Sequence, residues 1–148
     1  MSISLRERAL QLLARREHAR AELARKLARH AESVEQLEAL LEDLSERRLL
    51  SDERYAEMRL NARASRFGNA RLAYELRTQG VSEELVDAAL ASTEEELTRA
   101  RQVWAHKFGN EGSALDATGR ARQMRFLQSR GFSGETIRRV LRGDFEDD

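Results

Sequence analysis

The 148-residue chain has no cysteine and no proline; 35% of its residues are charged and only 5% aromatic. That excludes disulfides, thiolate nucleophiles and Cys-based zinc sites, and the length suits one domain or a few very small modules. Its 26 basic and 26 acidic residues cancel to a net charge of zero, which argues against a dedicated nucleic-acid binder carrying a net positive field.

The opening "MSISLRERALQLLARREHAR" has no apolar run of signal-peptide or membrane-helix length. We therefore expect a soluble, cytoplasmic protein. From here on, apolar residues recur at helical spacing and no stretch alternates with the period of a strand. Leu5, Ala9, Leu12 and Leu13 form a first stripe, Leu37, Leu40, Leu41 and Leu44 a second, and Ala56, Leu60, Ala64 and Phe67 a third. Ser4 with Glu7, Ser33 with Gln36, and Thr93 with Glu96 have capping-box spacing and mark helix starts. In "LLSDERYAEMRLNAR" (49–63), Ser51 or Asp52 reads as the cap of a new helix. Leu49, Leu50, Tyr55 and Ala56 read as the seam between two modules.

An internal repeat organises the chain. "LRTQGVSEELVDAAL" (76–90) aligns with "LQSRGFSGETIRRVL" (127–141), and more loosely with "LARHAESVEQLEALL" (27–41), where Ala31 replaces the glycine. In the two closer copies, glycine can close one helix in the left-handed conformation, an apolar residue follows, and serine caps the next helix. The expected fold is all-α: three tandem three-helix repeats forming an elongated, curved array. The units are residues 1–50, 51–92 and 93–148, the last with a loop insertion at 108–119 and an acidic tail.

Chemistry is sparse. His18, His30 and His106 lack partners at ligand spacing and read as surface or boundary residues. No phosphate-binding glycine loop or nucleophile elbow occurs, and acidic runs such as "TEEE" (93–96) fit helix N-termini better than an acid/base pair. We expect no enzyme, no cofactor and no metal. The aromatics read mostly as core, Tyr74 among them.

The basic residues are more telling. Charge alternates in blocks, net positive over 1–30, 61–80 and 99–143 and net negative between them. Solvated helix faces would produce this as readily as a functional surface. The middle helix of each repeat is its basic one. Arg25, Lys26, Arg66, Arg71, Arg77, Arg122, Arg125 and Arg130 are the candidate binding residues, on a strip suited to an extended acidic partner.

"LLSDERYAEMRLNARASRFGNARLAYELRTQGV" (49–81) resembles the RecX family of bacterial recombination regulators. The resemblance rests on Leu49-Leu50, the Asp52 junction, Tyr55-Ala56, Arg63 and Arg66, and the corner Arg71…Leu76…Gly80, and "ALQLLARREHARAELARKL" (9–27) is similar to the family's opening. The departures are Ser51-Asp52 where the family has Asp-Asp, Ala31-Glu32 at the first corner, and the long 108–119 loop. The resemblance implies a monomeric, non-enzymatic regulator that binds the RecA filament on DNA and restrains its strand exchange, ATPase and coprotease activities. Direct weak contact with single- or double-stranded DNA is also implied. The alternatives are a helical DNA-binding protein acting without RecA, and a helical scaffold for another protein.

Overall fold

Every regular element is helical among the described residues, which in this computed structural model are 2–111 and 116–143. The first repeat holds α1 (Leu5–Arg15), α2 (Arg20–Leu27) with a 3-10 turn (Ala28–His30), and α3 (Val34–Glu46). The second holds α4 (Asp52–Arg63), α5 (Asn69–Thr78) and α6 (Glu83–Ala91), and the third α7 (Glu96–Phe108), α8 (Ala117–Ser129) and α9 (Gly134–Arg142). The helices pack as two compact units. One comprises Met1–Met58 with Leu76–Ala89, the other Arg59–Glu75 with Leu90–Asp148.

Serines start most of these helices as their spacing predicts. The hydroxyls of Ser4, Ser33 and Ser133 accept from Glu7, Gln36 and Thr136 N–H, and Ser51 and Ser82 do the same for Arg54 and Leu85. Thr93 departs from expectation. The N-cap of α7 is Glu95, which makes no side-chain cap bond, and Glu96 is the first helical residue. Glu96 therefore sits too early to close a capping box and turns its carboxylate elsewhere.

In the first unit, Leu5, Ala9, Leu23, Leu27, Leu37, Leu41, Leu44 and Leu50 form the core. Leu49, expected in the seam, is 42% exposed. The chain leaves α3 through Arg48 in the left-handed region (φ 61°), which turns Leu50 inward and Leu49 out. Helix α2 begins after Ala19, which has no side-chain acceptor. Two acids serve that end instead. Glu22 Oε1 accepts from Ala19 N–H at 3.3 Å, and Asp52 Oδ1 accepts from Arg20 N–H at 2.7 Å. Thus Ser51 caps its own helix while Asp52, its neighbour, caps a helix 32 residues upstream. Gly80, at φ +86°, lies against α2 so closely that a Cβ would stand 2.7 Å from Ala21 Cβ.

The second unit repeats this arrangement. Leu97, Ala100, Leu127, Phe132, Ile137, Val140 and Leu141 form its core. Helix α5 follows Gly68, which has no side chain to offer, and Glu96 Oε2 accepts from Asn69 N–H at 2.7 Å. The other Glu96 oxygen accepts from the hydroxyls of Ser133 (3.1 Å) and Thr136 (2.8 Å), tying in the start of α9. Gly131, at φ +89°, packs on α5 where a Cβ would meet Arg71 Cβ at 2.3 Å. Backbone bonds complete the joint: Gly68 N–H donates to Arg130 O, and Ala70 N–H to Gly131 O.

Arg99 is the large buried ionic side chain of this unit, 2% exposed. Its guanidinium donates to the carbonyls of Ala64 (3.1 Å), Phe67 (2.7 Å) and Glu94 (2.7 Å), and to Asn69 Oδ1. It thereby ties down the turn that leads from α4 into α5, where the Ala64 and Phe67 carbonyls lie just past the helix. Burial pushes its pKa down from the ordinary arginine value, countered by the charges of Glu96 and Glu94. Of the expected 108–119 insertion, residues 112–115 lie outside the described residues, as does the acidic tail from 144.

Two substitutions test these joints in urea melts. Asp52→Ala should cost about 1–2 kcal/mol, with Asp52→Asn recovering part of it, because a distant cap is lost. Arg99→Met should cost about 3 kcal/mol, since it leaves buried carbonyls without donors; a near-neutral result would remove Arg99 from the account.

Candidate protein- and anion-binding surfaces

The structure gathers three of the candidate arginines at one place in the second unit. Phe67, 8% exposed, is ringed by guanidinium groups. Arg71 and Arg63 lie 4.2 and 4.4 Å from its centroid, and Arg130 and Arg66 lie 5.3 and 5.4 Å away. Each can gain from the negative face of the ring, ~0.5–2 kcal/mol depending on solvation. Arg130 also lies 5.0 Å from the Phe126 ring. The local cause is plain: Arg63 ends α4, Arg66 lies in the turn after it, Arg71 sits in the first turn of α5, and the Gly131 corner brings Arg130 in.

Glu75 holds the inner part of this group. Arg63 grips it in bidentate fashion at 2.6 and 2.8 Å, Arg59 reaches it at 3.1 Å and Arg71 at 3.3 Å. Burial alone would favour the neutral acid. The bonds and charges of Arg63, Arg71 and Arg59 outweigh burial and hold the carboxyl below its ordinary value. Five guanidiniums thus converge where one carboxylate is shared, leaving excess positive charge.

Sequence reasoning did not select Arg59 as a candidate and assigned Tyr74 to the core. Tyr74 is 67% exposed, three residues beyond Arg71 on α5. The reason is helical geometry. Leu72, Ala73 and Leu76 are the buried positions of α5, and Tyr74 falls off that stripe with Arg71. The i, i+4 spacing of Arg59, Arg63 and Phe67 was the available signal for the cluster. Tyr55, Phe67, Phe108 and Phe132 are buried as expected, whereas Trp104 and Phe126 are half-buried.

The remaining candidates are not among the groups over the Phe67 ring. Arg77 is committed to Glu83. Arg122 pairs with Glu111 at 2.7 Å and sits 5.4 Å from the Phe108 ring. Arg125 is an exposed residue of α8. In the first unit, Arg25 donates to Gln79, and Lys26 lies 3.0 Å from His18 Nε2 and 3.8 Å from Glu22. None of these positions forms a metal site: among the described residues, no group of three or more His, Asp or Glu is placed to hold an ion. Nor is any described helix long and apolar enough to cross a membrane.

His18 corrects another expectation. It is not at the surface but 2% exposed. Its Nδ1 lies 3.1 Å from Arg16 O, which can only accept, so Nδ1 carries the proton and Nε2 accepts from Lys26. Burial lowers its pKa from the ordinary 6.5; the Arg16 carbonyl opposes this, while the charges of Arg16 and Lys26 reinforce it. The folded state therefore resists protonation more than the unfolded chain does. Stability should be complete above pH ~6.5 and fall as the pH drops below it. Melting temperatures between pH 7.5 and 5 should slope accordingly, and His18→Asn should flatten that slope.

The chain's relatives agree with this architecture. Residues 51–90 match the family model for the RecX second three-helix domain, and residues 94–141 that for the third. A regulatory protein RecX of Herminiimonas arsenicoxydans is 44% identical over 149 residues, spanning 100% of this chain and 97% of that one. One from Leptothrix cholodnii is 49% identical over 148 residues, spanning 99% and 93%. The crystal structure of RecX from Lactobacillus salivarius superposes with a TM-score of 0.80 at 20% identity, covering 95% of this chain and 94% of that one. Sequence relationship over the full length and a shared all-helical fold place the chain in one non-enzymatic group: it belongs to the RecX family of regulatory proteins.

Proposed function

We propose that this protein binds the RecA filament assembled on DNA and restrains RecA's recombinase, ATPase and coprotease activities. The observation that carries the reading is the Phe67 cluster, where guanidiniums in excess of carboxylate lie close to an exposed tyrosine. Arginine and tyrosine are the residue types that anchor protein interfaces, because each couples a large flat contact area to directional hydrogen bonds. A cationic surface also steers encounter with an anionic nucleoprotein. Membership of a family of regulatory proteins supports a role in binding rather than catalysis.

In this reading Arg66, Arg71, Arg130 and Tyr74 form a principal contact, with Arg122 and Arg125 on α8 as a further one. Arg25, Lys26 and Arg77 are secondary. Arg71 has a structural duty as well, since it donates to Ser129 O at 3.3 Å. Arg66 and Tyr74, both exposed, are cleaner probes.

The decisive assay is RecA's DNA-dependent ATPase at substoichiometric amounts of this protein. The wild type should inhibit. Arg66→Glu combined with Tyr74→Ala should weaken inhibition about tenfold, the loss expected of one good interface anchor, while the melting midpoint stays unchanged. Full inhibition by the double variant would exclude this surface. Tight binding to bare DNA with no effect on RecA would favour the DNA-binding alternative.

A further inference from the structure

The first unit holds a cleft of about 590 Å³ between α1 and the segment running from α2 into the 3-10 turn. Arg8 and Arg15 line it from α1; Arg25, Lys26, Arg29 and His30 line it from the opposite side. Leu12 and Leu27 supply apolar surface, and no Asp or Glu lines it. The volume falls within the ~300–1,000 Å³ typical of small-ligand sites.

Three of these cations have no acid to satisfy. Lys26 is occupied by His18 and Glu22, and Arg25 by Gln79. Arg29 donates to His30 Nε2 at 3.2 Å, a neutral partner. Arg8, Arg15 and Arg29 enter no ion pair among the described residues. Like charges held together without counter-charge raise the energy of the folded state, and an anionic ligand relieves that.

The spacing selects the anion. Arg8 and Arg15 lie seven residues apart on α1, a rise of about 10 Å. One small anion cannot meet both ends of such a row, whereas a nucleic-acid strand, which advances one phosphate about every 3.4 Å along a duplex axis, offers several charges over it. Guanidinium forks bind such oxygens in pairs. The lining has no Phe, Tyr or Trp on which a base could stack, so recognition would be of phosphate and not of sequence.

We propose that this cleft is a phosphate site for an anion with two or more closely spaced phosphates, supplied by a nucleic-acid backbone or by a free polyphosphate. It shares no residue with the Phe67 cluster, and its occupancy does not depend on RecA, so the two readings fail independently.

The test uses the full chain at low salt without RecA. Binding of a fluorescent oligonucleotide of roughly 15 nucleotides is followed by anisotropy, and binding of sodium tripolyphosphate by calorimetry. At least one should bind, and Arg8→Gln/Arg15→Gln/Arg29→Gln should weaken it roughly tenfold or more. Arg47→Gln, at an exposed residue outside the cleft, should leave it unchanged. Stronger binding of the oligonucleotide assigns the backbone as source; stronger binding of tripolyphosphate assigns the free anion. Should the triple variant fail to fold, the single exposed change Arg15→Gln must still weaken binding measurably. The proposal is overturned if neither anion binds, if the variants bind as the wild type does, or if a poly-glutamate peptide binds equally well.

Discussion

Two helices in this protein start after a residue whose side chain holds no acceptor. Helix α2 follows Ala19, and α5 follows Gly68. The first N–H groups of any helix need partners, and leaving them without partners in a partly buried joint is costly. In both cases the first helical residue of the next repeat supplies one. Asp52 opens α4 and accepts from Arg20; Glu96 opens α7 and accepts from Asn69. A carboxylate at a helix N-terminus also meets the positive end of the helix dipole. This one interaction sets the register between consecutive repeats: shift either acid by a residue and its oxygen points to another face of its helix.

The corner glycines enforce the same register sterically. Gly80 against Ala21 and Gly131 against Arg71 both lie on the helix that the acid caps. Electrostatic capping at the end of that helix and close backbone contact along its side leave little freedom at the joint. The second unit adds Arg99, whose guanidinium occupies the carbonyls of Ala64 and Phe67 in the turn just past α4. Its burial is tolerable because the planar fork finds several acceptors in fixed places. With the end of α4 held in this way, Arg63 and Arg66 are left around Phe67, where Arg71 and Arg130 join them.

The cluster around Phe67 thus follows from the joint. The same Gly131 corner that docks on α5 brings Arg130 to a ring contributed by the second repeat. A binding surface has no need of an enclosed cavity. What it needs is rigid presentation of charged and aromatic groups, and helices locked by caps and backbone contacts supply that.

Much of this was legible in the sequence. Apolar spacing gave nine helices among the described residues, and Gly-apolar-Ser gave the two sharp corners, because both signals act within a few residues of chain. The resemblance of the 49–81 segment identified the family. The sequence could also name arginines as candidates, since the charge blocks are local. It could not say that Asp52 caps a helix 32 residues away and not its own, that His18 is buried, or that Tyr74 is exposed. Those outcomes depend on which face of each helix the neighbouring repeat covers. Nor could it sort the eight candidate cations: Arg66, Arg71 and Arg130 meet at one ring, Arg77 and Arg122 are taken by carboxylates, Arg125 is exposed on α8, and Arg25 and Lys26 line a cleft with Arg8, Arg15 and Arg29, which were not candidates. Local sequence determines where helices start and stop, because capping and backbone conformation are short-range. The long-range contacts that cover one face and leave another open are decided only when the repeats pack.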